Sequence, residues 1–207
     1  MKFLYRALVA ACFVSYMGAA GASICGDDFA KELKAVSKEG HDARISVLYG
    51  PGGASAATEE MTSRVKRADE RSDAFFKATL RRCGWPGRSK VGQEAAMGFA
   101  MMVVNSDGNL STQRYARWLM EKEISMKGEV PRELFAILTD KLLLAEMKPQ
   151  RYGTQLDWTF KARPVEDKDR VDQLRSEMGM MPLAEYEETV RDLYETAKAK
   201  MQASTAK

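Results

Sequence analysis

Between Cys83 and Glu94 the chain reads Cys-Gly-Trp-Pro-Gly-Arg-Ser-Lys-Val-Gly-Gln-Glu. Three glycines and a proline stand close together in this stretch. Neither residue type extends a helix: glycine loses too much backbone freedom, and proline lacks the N–H and clashes with the preceding turn. Strongly helical patterns run into the stretch from one side and out of it on the other. The chain must break here, so it has to be built from separate helices packed around the break. A second gathering of polar residues and glycine, Pro149-Gln-Arg-Tyr-Gly-Thr-Gln155, separates later apolar segments in the same way.

Taken in order, apolar positions recur at helical spacing. Phe29, Leu33 and Val36 predict an amphipathic helix over Asp27–Glu39, with Gly40 as its stop. A short apolar run, Ile45–Tyr49, follows Asp42 and Arg44, which are expected to form a local ion pair on the surface. Residues 50–57, rich in glycine and alanine, read as a flexible loop. Thr58 before Glu59 and Glu60 predicts the N-cap of a long helix that Gly84 and Pro86 end after Cys83. Val91–Val104 is strongly apolar and predicts a central buried helix. Asn109 or Ser111 caps the next helix, whose core stripe is expected to include Tyr115, Trp118 and Leu119, and Gly128 stops it. Pro131 opens another helix, carrying Leu134, Phe135, Leu138 and Leu142. At Leu156, Trp158, Phe160 and Ala162 the period falls to two, which predicts a short strand or half of a hairpin over 152–163. Asp167–Met178 and the stripe from Leu183 to Ala197 return to helix. The expected fold is mainly α: a single helical domain over 23–207, best defined over 58–194, with a small β-hairpin or strand element.

The first residues have the grammar of a secretory leader. Lys2 and Arg6 precede an apolar run, Ala7–Ala20, and Ala20-Gly-Ala22 is a small-x-small cleavage site. Residues 1–22 are therefore expected to be a signal peptide and the chain an exported protein, periplasmic or secreted. An uncleaved anchor is the alternative, but the run is short of the roughly 20 apolar residues of a span. The Val9-Ala10-Ala11-Cys12 lipobox-like run has few apolar residues before its cysteine and is set aside. With 32 basic and 29 acidic residues overall, loss of Lys2 and Arg6 leaves the mature chain near neutrality. That balance gives no basic stripe for nucleic acid, and no later apolar run predicts a membrane span. Cys25 and Cys83 would remain, and an even count in an oxidising compartment predicts a disulfide; two free thiols are the alternative.

Gly84-Trp-Pro-Gly-Arg-Ser89 with Val91-Gly92, then Leu138-Thr-Asp140, then Pro149–Gln155, then Arg163-Pro-Val-Glu-Asp167 and Pro182-Leu-Ala-Glu-Tyr186 form an ordered series. The series resembles a bacterial family known as a domain of unknown function, over roughly Arg67–Tyr186. The resemblance implies a mostly helical fold and no known activity, substrate or cofactor. The family pattern often carries a Gln-His pair where this chain has Val104-Asn105, so a histidine base is missing at that place.

The residues exclude several chemistries. One histidine, His41, and no Cys/His cluster give no metal site. Asp107-Gly108-Asn109 reads as a turn rather than a calcium loop. There is no phosphate-binding glycine loop and no Gly-x-Ser-x-Gly elbow, and no cofactor is implied. What is left is a polar pocket, if the two glycine-bearing loops meet. Arg88 and Ser89 precede a helix N-terminus, which favours anions. Gln150, Arg151, Tyr152 and Gln155 would supply a second guanidinium and amide donors. Glu94 and Asp140 would supply carboxylates able to do acid–base work on an envelope polymer such as a glycan. Three readings stand together: these residues tie loops to a helical core, or they bind an unidentified protein or small polar ligand, or Glu94 and Asp140 make a hydrolase. The first two describe a non-enzymatic exported interaction protein, an immunity or inhibitor role being one version.

Overall fold

The computed structural model describes residues 25–26, 28–49, 57–127 and 129–205. The expected leader, nearly all of the expected 50–57 loop, Asp27 and Gly128 lie outside them. Among the described residues there are eight helices: α1 Phe29–Tyr49, α2 Glu59–Cys83, α3 Arg88–Val91, α4 Gln93–Asn105, α5 Leu110–Lys127, α6 Arg132–Ala145, α7 Val171–Glu177 and α8 Leu183–Thr205. They form two compact units, one ending at Phe135 and the other beginning at Ala136, so the division falls inside α6. None of these helices is long and apolar enough to cross a membrane.

In the first unit α1 and α2 pack along each other and both lie on α4. Thr58 caps α2 as its side-chain oxygen accepts from the Met61 N–H at 3.2 Å, and Gly84 ends it with a φ of +69° that L side chains rarely adopt. The core is an aromatic cluster centred on the fully buried Phe99. Its ring lies 5.4 Å from Trp85, 5.7 Å from Phe76, 6.2 Å from Phe29 and 6.3 Å from Phe75. Such pairs each contribute about 0.5–1.5 kcal/mol beyond burial. Trp85 and Pro86, in the turn after α2, are therefore core residues.

The sequence misleads at Gly40. α1 continues through it to Tyr49, because tertiary packing uses the missing side chain: a Cβ there would stand 3.1 Å from Arg44 Nη1. Arg44 is buried, and it pairs with Asp69 of α2 instead of Asp42; Asp42 pairs with Lys38. The reason lies at the end of α4. The last carbonyls of a buried helix have no partners of their own and carry the negative end of its dipole. Arg44 Nη2 donates to the Asn105 carbonyl at 2.7 Å, and Gln113 Nε2 donates to those of Val103 and Val104 at 3.3 Å each.

A second departure concerns α5. Asn109 caps it, accepting from the Thr112 N–H at 3.1 Å. Its buried face is Thr112, Gln113, Ala116 and Met120, while Tyr115 and Trp118 are 51% and 44% exposed. The two rings predicted to be core stand on the solvent side.

In the second unit the predicted strand region forms no strand among the described residues. It contains one isolated bridge, Leu156 with Ala162, and a second, Gln150 with Val165, flanks it. The Asp157 carboxylate accepts from the N–H groups of Thr159 and Lys161, and Phe160 takes a φ of +62°. The chain therefore reverses before a ladder can extend.

Cys25 and Cys83 are joined by a disulfide, with Cα atoms 5.2 Å apart and a sequence separation of 58. Closing a loop of that size in the unfolded chain stabilises the fold by about 4 kcal/mol. Denaturant unfolding with and without reductant should differ by about that amount; coincident transitions would show that the bridge contributes nothing.

Candidate functional site

Asp140 stands in α6, and the Pro149–Gln155 loop is wrapped around its carboxylate. Oδ1 accepts from the N–H groups of Arg151 at 2.8 Å and Tyr152 at 3.0 Å. Oδ2 accepts from the Thr154 N–H at 2.8 Å and the Thr154 hydroxyl at 2.9 Å. Asp140 is 0% exposed. Burial pushes its carboxyl above the usual aspartate range, while these four donors pull it the other way.

The other polar groups of the loop are spent in the same fashion. Gln150, fully buried, donates through Nε2 to the carbonyls of Gln155 at 3.0 Å and Arg163 at 2.9 Å. Its Oε1 accepts from the Gln155 N–H at 2.7 Å. Its own N–H goes to the Pro164 carbonyl at 2.7 Å. The N–H groups of Gln150, Arg151, Tyr152, Thr154 and Gln155 thus have partners, as buried backbone requires. Gly153 has a φ of +66°, and a Cβ there would stand 3.0 Å from Leu183, so glycine is needed on both counts.

Two residues with no assigned role in the sequence reading complete this knot. Arg175 of α7, 1% exposed, donates to the carbonyls of Tyr152 at 2.8 Å and Met181 at 2.7 Å. Its guanidinium lies 4.8 Å from the Tyr186 ring centre, and the Tyr186 hydroxyl donates to the Thr154 carbonyl at 3.1 Å. Tyr186 lay within the motif series and could have been marked. Arg175 sits in a short charged helix, where nothing separates it from its solvated neighbours.

Arg88, Ser89 and Glu94 belong to the first unit. Arg88 and Ser89 do not lie in a loop but open the one-turn helix α3, which Gly92 separates from α4, with Glu94 in the first turn of α4. All three are exposed. The anion at this turn is the chain's own: Glu129 Oε2 accepts from the Ser89 N–H at 2.9 Å. Gly87 makes room for it, since a Cβ there would lie 2.6 Å from the same oxygen. Of the second-unit residues, Tyr152 is buried, Gln155 is half-buried, and Arg151 is exposed with its guanidinium 5.7 Å from the Tyr152 ring centre. Asp140, Gln150, Arg151, Tyr152 and Gln155 are thus brought together, by bonds that point inward. Among the described residues no group of three or more His, Cys, Asp or Glu could hold a metal ion.

Chemically, Asp140 is an anchor. Both oxygens already face donors, so the group has no free lone pair aimed at a substrate proton. Asp140→Asn keeps the shape but turns one acceptor into a donor facing donors. It should destabilise the protein by about 2–4 kcal/mol, read as a lowered denaturation midpoint. An unchanged midpoint would show that the four bonds do not hold the loop.

No curated protein and no solved structure matches the chain. The profile of a family of unknown function matches residues 27–200, a span that contains the Gly84–Gly92 turn, Asp140 and the whole loop around it. The chain accordingly belongs to that family, DUF6624.

Proposed function

We propose that this chain is a non-enzymatic binding protein of the cell envelope or the extracellular space, taking a protein or a small polar or anionic ligand as its partner. The observation that carries this reading is the inward saturation of the signature loop. Asp140, the acid best placed by sequence to act with a second carboxylate, is sealed from solvent and holds four hydrogen bonds. Catalysis by a carboxylate pair needs both groups open to the substrate. Export is supported by the leader-like residues 1–22 and by the disulfide, which suits an oxidising compartment. The surface, rather than the loop, is then where partners are met.

Two measurements test this. Mass spectrometry of the protein recovered from its producing cell should give an N-terminus at Ser23 and a mass two hydrogens short of the dithiol. Accumulation of the uncleaved chain in the cytosol would remove the export reading. Incubation of the folded protein with purified envelope polymer should release no product. Product release that is lost in Glu94→Gln, an exposed position where the fold is expected to survive, would replace the binding reading with the hydrolase.

A further inference from the structure

The first unit has an open cleft of about 440 Å³ between α2 and α5, within the range of roughly 300–1,000 Å³ typical of small-ligand sites. Lys77 and Arg81 stand on one side of it, beside Phe76, and Ser111, Thr112 and Tyr115 on the other. Its chemistry is set by which groups are already spent. Lys77 is bound to Asp73 at 2.7 Å. Partial burial pushes the Asp73 carboxyl up, but bonds from Lys77 and Thr112 outweigh it and hold Asp73 below the usual aspartate range. It therefore stays ionised and neutralises Lys77. Arg81 is exposed and has no hydrogen-bond or ion-pair partner among the described residues. It is the cation left over.

The hydroxyls are half spent. Ser111 donates its proton to Asn109 Oδ1 at 2.7 Å, and Thr112 donates its proton to Asp73. A hydroxyl has one proton and two lone pairs, so both side chains face the cleft as acceptors. They suit a ligand rich in O–H donors. The aromatic wall is built outward from the same helix. Lys122 Nζ lies 3.8 Å from the Trp118 ring centre, and Trp118 stacks on Tyr115 at 5.8 Å with 18° between the planes. The column ends at Tyr115, which lines the cleft. An aromatic face carries negative charge density and so attracts the weakly positive C–H face of a sugar ring.

An unspent guanidinium, two acceptor hydroxyls and a stacked aromatic ledge together describe one ligand class. We infer that the cleft between α2 and α5 binds an acidic saccharide, with its carboxylate on Arg81, its hydroxyls on Ser111 and Thr112, and a ring face on Tyr115. Guanidinium and carboxylate pair in a fork geometry that an ammonium cannot supply. This inference rests on the binding reading above and names its ligand.

The test is calorimetric titration of the oxidised mature protein with hexasaccharides of galacturonate, of mannuronate and of hyaluronan, with uncharged maltohexaose as the control. At least one acidic hexasaccharide should bind more tightly than maltohexaose. Arg81→Gln should weaken that acidic ligand by about ten-fold or more and leave the affinity for maltohexaose unchanged. Tyr115→Ala should weaken both. Thermal melts check that the variants are folded, which is expected because both positions are exposed. Binding to none of the three acidic ligands, or equal losses for acidic and neutral ligands in Arg81→Gln, would overturn the site and leave the binding reading standing. Release of product from the oligosaccharides would instead overturn the binding reading itself.

Discussion

The carboxylate of Asp140 does for one loop what a strand partner does for another. Pro149–Gln155 has no ladder to satisfy its N–H groups beyond the isolated bridge of Gln150 with Val165. Three of those groups converge on one side chain from the preceding helix. An unmet buried N–H costs about 1–3 kcal/mol, so three together would exceed what a short loop recovers by packing. Everything else in the knot presupposes this anchor. Gln150 can bridge Gln155 and Arg163 only if the loop is already folded, and Arg175 and Tyr186 reach carbonyls that the anchor has placed.

The first unit solves the complementary problem with the opposite charge. There the orphans are carbonyls, at the C-terminus of the buried α4, and the buried ion is Arg44. Desolvating a guanidinium is costly and is tolerated only with a paired acid and further bonds. Asp69 supplies the first, and the carbonyls of Gly40 and Asn105 supply the second. Gly40 and Gly108 are small for this reason: a Cβ on the first would stand 3.1 Å from Arg44, and one on the second 2.9 Å from Asp69. Asp140 thus gathers N–H groups in the second unit, as Arg44 gathers carbonyls in the first.

Helices whose boundaries depend on local chemistry were legible in the sequence. Thr58, Gly84, Asn109 and Pro131 act through neighbours a few residues away, and the structure uses them as expected. Features that depend on distant contacts were not. Gly40 looks like a stop until Arg44 is seen to need the space. Tyr115 and Trp118 look like core because their spacing and size fit a buried stripe, yet Thr112, Gln113, Ala116 and Met120 face inward instead. Hydrophobicity alone cannot tell which of two adjacent faces is covered when the buried one carries polar groups with specific partners. In the loop, the clustering of Gln150, Arg151, Tyr152 and Gln155 was visible, and so was Asp140. The direction of their bonds, inward or outward, was not.

The disulfide has a topological consequence of its own. Cys25 and Cys83 bracket α1, the glycine-rich segment after it and all of α2. A protease that cuts the backbone anywhere between them makes two polypeptides that remain joined through sulfur. The α1 piece, with Phe29 in the aromatic cluster, cannot diffuse away, and its re-docking is governed by the high effective concentration of a tethered segment. A nicked molecule of this kind keeps its pieces together, losing α1 only when cleavage and reduction coincide.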